Sequence, residues 1–420
     1  MPPAHPVSSV LPGRFGWQLL ESCRGGLSGR NGARSGQLRQ VRSRSCSSPV
    51  AGHVPWRHRG LTPVKYATAQ SVSLPRQTLG GPDMTSSRLN PVRTRSRWWS
   101  RSSTIAWMAA GLALIGAGAL VYARYSADMQ VARATIAQGA SVAQTATGPI
   151  QYAVEGTGSP MLSIHGAGGG FDQGLANAGS MLGPGFQIIA PSRFGYLGTP
   201  VPGDVSAASQ AEAHVALLNE LGVEEAIVLG TSAGTRSALE LALRHPDRVS
   251  ALILVVPATY VPDAAQQQVQ RETEFSAVLW LVNAGADFAW WTLEHISPDT
   301  LMRFIGVPPE VVRAASAEER EEVFAMIRSI EPLSARFAGI NIDSQPVLTA
   351  PALEQLSTPT LLVTARDDLF NTYPAAEYAA DRIPGARLVV FDEEGHLLVG
   401  HSEQVRSEIR QFLEAAGLFQ

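Results

Sequence analysis

The sequence predicts an α/β body, with a mostly parallel central sheet, helices on both faces and a helical cap insertion, held behind a single N-terminal transmembrane helix. Three observations carry this. Beyond residue 148, short apolar runs bounded by Gly, Pro or Asp alternate with segments of helical period, the pattern of strands buried on both faces and covered by helices. Ahead of that body stand 19 residues without a charge, Thr104 to Tyr122. Ahead of those, residues 1–102 hold sixteen Lys and Arg against two acids, Glu21 and Asp83, whereas the remaining chain holds seventeen basic residues and thirty-four acidic ones. The formal charge of −3 is therefore the sum of a tail at +14 and a body at −17. An acidic body excludes a nucleic-acid-binding domain built on a basic face.

In chain order, residues 1–102 read as a disordered, basic tail rich in Ser, Arg and Pro, without enough apolar surface to offset the entropy of ordering. A transit peptide is a second reading. A third makes residues 1–83 no part of the native protein, because from Met84 onward the chain has the layout of an export signal or anchor. The apolar segment is read at 103–123, and its 19 uncharged residues span roughly 28 Å as a helix, close to a bilayer core. Being apolar all round, it reads as a membrane span rather than a core helix. Arg93, Arg95, Arg97 and Arg101 precede it and only Arg124 closely follows, which places the N-terminus in the cytoplasm. The expected location is a bacterial inner membrane, crossed once, with the body on the periplasmic side. Cleavage at Ala117-Gly118-Ala119 would instead release a secreted protein.

Residues 124–147 read as a polar, Ala-rich stalk, and 148–420 as the body. Strands are expected at Ile150 to Val154, Met161 to Ile164, Phe186 to Ala190, Ala226 to Leu229, Ala251 to Val256, Thr360 to Thr364 and Arg387 to Phe391. Helical stripes run through Ala211, Val215 and Leu218, through Ala238, Leu239 and Ala242, and through Val405, Ile409 and Phe412. Residues 260–355 break the rhythm with a helical pattern holding Phe275, Trp280, Phe288, Trp290, Trp291 and Phe304, and read as the cap. Both cysteines, Cys23 and Cys46, lie in the tail, so the body has no thiol nucleophile, disulfide or cysteine metal ligand.

The chemistry begins at GTSAG, Gly230 to Gly234, which follows an apolar run and opens a helical period. A strand, GxSxG and a helix together describe a nucleophile elbow, a turn so sharp that the residues two before and two after the Ser must be small. A helix N-cap is the structural alternative for Ser232. With HGAGGG (His165 to Gly170), ARDD (Ala365 to Asp368) and EGH (Glu394 to His396), each after a strand, residues 148–420 resemble the α/β-hydrolase superfamily in its serine-dependent, capped branch. The order Ser, acid, His is the one this fold uses.

Serine needs a base to take its proton, and His396, in the loop after the final strand, is the candidate; His401 is the alternative. The resemblance implies Asp368 as the carboxylate that orients the imidazole, with adjacent Asp367 as the alternative. The oxyanion donors are expected to be the N–H groups of Ala233, after the nucleophile, and Ala167, in the glycine-rich loop. His165 reads as structural, and RFGYLGT, Arg193 to Thr199, is given no chemistry. An Asp at the elbow would have implied a dehalogenase or epoxide hydrolase, and a Cys a dienelactone hydrolase. No cofactor or metal is expected.

The expected activity is hydrolysis of carboxylic esters or lactones of small, fairly apolar substrates through an acyl-enzyme, the apolar preference resting on the cap aromatics. Carbon–carbon bond hydrolysis, amide or peptide hydrolysis and perhydrolase chemistry share the same triad. A catalytically silent, anchored binding protein is the alternative of another class. The expected partners are a small ester-like molecule and, through residues 104–122, the membrane, with no nucleic acid.

Overall fold

A computed structural model describes residues 98–262 and 286–419, with side chains from residue 103. The expected tail, apart from the backbone of its last five residues, lies outside the described residues, and so do Met84, Phe275 and Trp280.

Helix α1 (Trp98–Ala137) is 40 residues long, about 60 Å at the usual rise, or twice a bilayer core. Among the described residues it is the one helix long and apolar enough to cross a membrane, and its most apolar window is wholly unburied by the rest of the protein. Past Tyr122 its character changes: Met129 is buried, and the Tyr125 ring meets Phe288 and Trp291 at 5.1 and 5.8 Å between centroids.

Strand β1 (Ser141–Thr145) follows and pairs antiparallel with β2 (Gly148–Gly156). Both features correct the stalk expected at 124–147. The helix runs on to Ala137 and packs against the body, and the sheet starts at Ser141 rather than after 148. An edge strand in which Ala143 alone is buried carries almost no apolar signal, so its sequence reads as polar linker.

The other strands are β3 (Ser159–Ile164), β4 (Phe186–Pro191), β5 (Ala226–Thr231), β6 (Val249–Val255), β7 (Thr360–Ala365) and β8 (Arg387–Phe391). The sheet order is β1-β2-β4-β3-β5-β6-β7-β8, parallel from β4 to β8. Alternate residues of each strand feed opposite faces. Leu162, Val228, Leu252 and Leu362 pack with α3 (Ala207–Glu220), α4 (Thr235–Arg244) and α10 (Tyr373–Ala380). Met161, Ile227, Ile253 and Leu361 pack with α2 (Phe171–Met181) and α11 (Ser402–Ala415). A parallel sheet covered this way leaves only its carboxyl edge open to ligands.

Between β6 and β7 stands the cap: α5 (Asp287–Ile296), α6 (Pro298–Phe304), α7 (Pro309–Ala314), α8 (Ala317–Ser329) and α9 (Phe337–Asp343). It has a core of its own, with Trp290, Leu301, Met302, Val312, Val323 and Ile327 buried and Phe304 packed against them. Trp290 and Phe304 therefore serve the cap core, and Trp291 serves the contact with α1. None of the three supports the apolar substrate preference drawn from the cap aromatics.

Candidate active site

The loops after β3, β5, β7 and β8 converge at the carboxyl edge of the sheet. At the end of β5, Ser232 adopts φ +51° and opens a single 3-10 turn (Ser232–Gly234) before α4. That left-handed backbone is unfavourable for a residue with a Cβ, and the surrounding packing has to hold it. A Cβ at Gly230 would stand 2.8 Å from the Ala238 Cβ, and one at Gly234 would stand 2.5 Å from the carbonyl oxygens of Ile164 and His165. Only small residues fit on either side of Ser232.

The Ser232 hydroxyl lies 2.9 Å from His396 Nε2, and His396 Nδ1 lies 2.8 Å from Asp368 Oδ2. All three side chains are buried. With the carboxylate on Nδ1, the consistent tautomer is Nδ1–H donating to Asp368, which leaves Nε2 free to accept the serine proton. Asp368 is itself fixed, accepting from the Phe370 N–H at 2.7 Å and from the Thr372 hydroxyl. Asp367 instead shapes the loop that carries His396, its Oδ1 accepting the N–H groups of Glu394 and Gly395 at 2.9 and 2.7 Å. His401 stands just before α11, 3.3 Å from Glu394.

Ala233 is buried beside the serine, whereas Ala167 is exposed between buried neighbours. Gly166 packs so closely that a Cβ there would lie 3.2 Å from the Ser232 Cβ. The HGAGGG loop is held by its carbonyl oxygens. Arg193 donates to His165 O at 2.9 Å and to Gly166 O at 3.1 Å, and Arg336 donates to Gly169 O at 2.6 Å. In a trans peptide the N–H points opposite to the carbonyl, so engaging Gly166 O turns the Ala167 N–H away from Arg193. That N–H has no acceptor among the described residues.

Both guanidiniums are buried and paired. Arg193 grips Asp343 in a two-pronged contact at 2.8 and 2.6 Å, and Asp343 also accepts the Tyr196 hydroxyl. Burial alone would raise the Asp343 carboxyl, but Arg193 outweighs it and holds the group below the usual carboxylate range. Arg336 grips Asp172 at 3.1 and 2.6 Å. His165 spans the loop, bonding Gly166 O through Nδ1 at 2.7 Å and accepting the Arg193 N–H on Nε2 at 2.9 Å. Burial, then the neighbouring Arg193, pushes its pKa well below the ordinary histidine value, so it is neutral and structural.

The sequence reading missed Arg336, Asp343 and Gly306. Arg193 lay in a noticed motif, but its partner is 150 positions away and no spacing signals such a pair. Gly306, just after α6 with φ +86°, offers its carbonyl to the N–H groups of both Leu369 and His396 at 3.1 Å each. A Cβ there would come within 2.7 Å of His396 Cβ, so only glycine lets the cap touch the acid and histidine loops together. Among the described residues, no group of three or more His, Cys, Asp or Glu is placed to hold a metal ion.

Residues 159–301 match the family described as alpha/beta hydrolase fold, and residues 338–418 match the family described as TAP-like protein. The chain belongs to the α/β-hydrolase superfamily. This hydrolase is 28% identical over 269 residues to 2-hydroxymuconate semialdehyde hydrolase of Pseudomonas putida, covering 62% of this chain and 89% of that one. It is 29% identical to pimeloyl-[acyl-carrier protein] methyl ester esterase of Aromatoleum aromaticum, covering 50% of this chain and 81% of that one. Among solved structures, an alpha/beta hydrolase fold protein from Nakamurella multipartita is similar with a TM-score of 0.51 and 28% identity, covering 66% of this chain and 99% of that one.

Proposed function

We propose that this hydrolase cleaves carboxylic esters or lactones with Ser232 as nucleophile, anchored in a membrane by α1 with its body on the extracytoplasmic side. The observation that carries the chemistry is the unbroken chain from Ser232 through His396 to Asp368, with contacts of 2.9 and 2.8 Å. Ser232 Oγ attacks the acyl carbon as its proton passes to His396 Nε2, and Asp368 stabilises the imidazolium that results. The negative charge developing on the acyl oxygen is met by the N–H groups of Ala233 and Ala167. His396 returns the proton to the leaving alkoxide. It then activates the water that releases the acid from the acyl-enzyme, so Ser232 and His396 regain their starting states.

The similarity to 2-hydroxymuconate semialdehyde hydrolase favours a second reading, cleavage of a carbon–carbon bond on the same triad. A parallel assay with p-nitrophenyl esters and a vinylogous diketone separates the two. The shared core is tested by Ser232→Ala, which should lower ester turnover by at least about a thousandfold and abolish labelling by a fluorophosphonate probe, with an unchanged thermal transition. Labelling that persists in the variant would reject Ser232. A wild-type protein that neither labels nor turns over substrate would be a binding protein on a hydrolase scaffold.

A further inference from the structure

Helix α1 is continuous from Trp98 to Ala137, so whatever its apolar half spans has a fixed place relative to the cap. Its second half is attached to the body at several points. Met129 is buried, Asp128 accepts the Trp291 indole N–H at 3.0 Å, and Arg133 lies 3.6 Å from Asp287. Tyr125, three residues and about 4.5 Å along the axis beyond Tyr122, is the residue that meets Phe288. Phe288 therefore packs beside a residue less than one helical turn past the end of the apolar run, where a headgroup layer about 5–7 Å thick would lie. It is 47% exposed, and Ile296, eight positions later on the same helical stripe, is 74% exposed. A large apolar side chain at the level of Phe288 suits the boundary between headgroups and acyl chains, and Ile296 presents a second one about 12 Å further along the same helix.

The same part of the cap reaches the candidate active site in short steps. Ile330 lies over the glycine-rich loop, 3.4 Å from where a Cβ on Gly168 would stand, while the next residue, Glu331, lies among the acids facing α1. Asp287 accepts the N–H and hydroxyl of Ser334 at 2.7 and 2.8 Å, two residues before Arg336. Beyond Ile296, α6 leads to Gly306 and its contact with His396.

We infer that α5 rests in the headgroup layer of the membrane spanned by α1, with Phe288 and Ile296 inserted, and that the substrates are amphiphilic esters reaching the site from that layer. This rests on the reading of α1 as an anchor and of the site as an esterase.

The test uses the full chain carrying Cys23→Ser and Cys46→Ser, reconstituted in vesicles of phosphatidylcholine and phosphatidylglycerol. A nitroxide is placed at Phe288→Cys or Ile296→Cys, with exposed Glu403→Cys on α11 as the aqueous reference. Labels at 288 and 296 should collide preferentially with oxygen, and the label at 403 with a water-soluble nickel chelate. Equal nickel accessibility at all three positions overturns the membrane contact, as does occlusion of 288 and 296 from both reagents, which would mean a protein covers them. In the second arm, Phe288→Ser with Ile296→Ser should lower kcat/KM about tenfold for a long-chain acyl ester dissolved in the vesicles, and less than about twofold for p-nitrophenyl acetate in water. An equal loss on both esters overturns the substrate route. If the wild type hydrolyses neither ester, the esterase reading fails while the accessibility measurement still decides the membrane contact.

Discussion

Buried charges flank the cap on two sides, and the two sides are finished differently. Toward the candidate active site, Arg193 and Arg336 each hold a carboxylate in a two-pronged contact and also donate to carbonyls of the HGAGGG loop, with only the buried Arg336 Nε left without a hydrogen-bond partner. Toward α1, four acids gather with looser partners. Asp128 has Trp291 and Arg124, Asp287 has Ser334 and a distant Arg133, Glu294 lies 4.0 Å from Arg328, and buried Glu331 keeps one carboxylate oxygen without a hydrogen-bond partner. Burial, then the charges of Glu294, Asp128 and Asp287, raises the Glu331 carboxyl to about 8. Buried charges gripped by close partners of opposite charge fix a geometry, and an oxyanion site has to be fixed before the reaction begins. A buried carboxyl among like charges ties the fit of that region to proton concentration.

The contrast between the two sides should break most sharply at Asp343. Asp343→Asn leaves the Arg193 guanidinium buried without its counter-charge, and should cost about 3–5 kcal/mol in urea or thermal unfolding. Ester kcat should fall further than KM changes, because the displaced loop carries the Ala167 N–H proposed as an oxyanion donor. Unaltered kcat in a folded Asp343→Asn protein would show that the clamp does not position the oxyanion site.

Glu331→Gln tests the opposite side and should have a smaller effect of opposite sign. The folded-state value, about 8, lies above the ordinary 4.5, so the folded protein binds more protons than the unfolded chain between those values. Stability is therefore full below about pH 4.5 and is lost as pH rises through about 8. Removing the ionisable group should raise Tm by a few degrees at pH 8 and leave it nearly unchanged at pH 5, flattening the wild-type slope. Parallel slopes in the two proteins would place the pH sensitivity elsewhere.

The smallest effect is expected at Asp128, a partly exposed group whose hydrogen bond to Trp291 joins α1 to the cap. Asp128→Ala should cost about 0.5–1 kcal/mol and shift Trp291 emission, with ester turnover in water unaffected. A loss as large as that of Asp343→Asn would mean that the two sides of the cap are equally rigid.

Much of this was legible in the chain. The seven strands read from apolar or alternating runs all lie in the sheet, and the central ones were the plainest because a strand buried on both faces has to be apolar throughout. The small residues around Ser232 and the loops ending in Asp368 and His396 were legible for a similar reason, since each sits directly after a strand and its local turn dictates its composition. Strand β1 was not, having only Ala143 to bury. The choice between Asp367 and Asp368 was also closed to the sequence: adjacent carboxylates have the same composition, and only the fold aims one at the imidazole and the other at backbone N–H groups.

Sequence alone therefore determined the alternation that builds the sheet, the elbow that strains Ser232, and the long apolar segment, all of which leave a pattern in consecutive residues. Tertiary structure decided what depends on distant partners. It joined Arg193 to Asp343 across 150 positions, brought Gly306 of the cap onto His396, and turned an expected stalk into a helix packed on Trp291. Those pairings leave no periodic trace, because a buried charge or a glycine contact needs only one correct neighbour, and chain folding can bring that neighbour from anywhere.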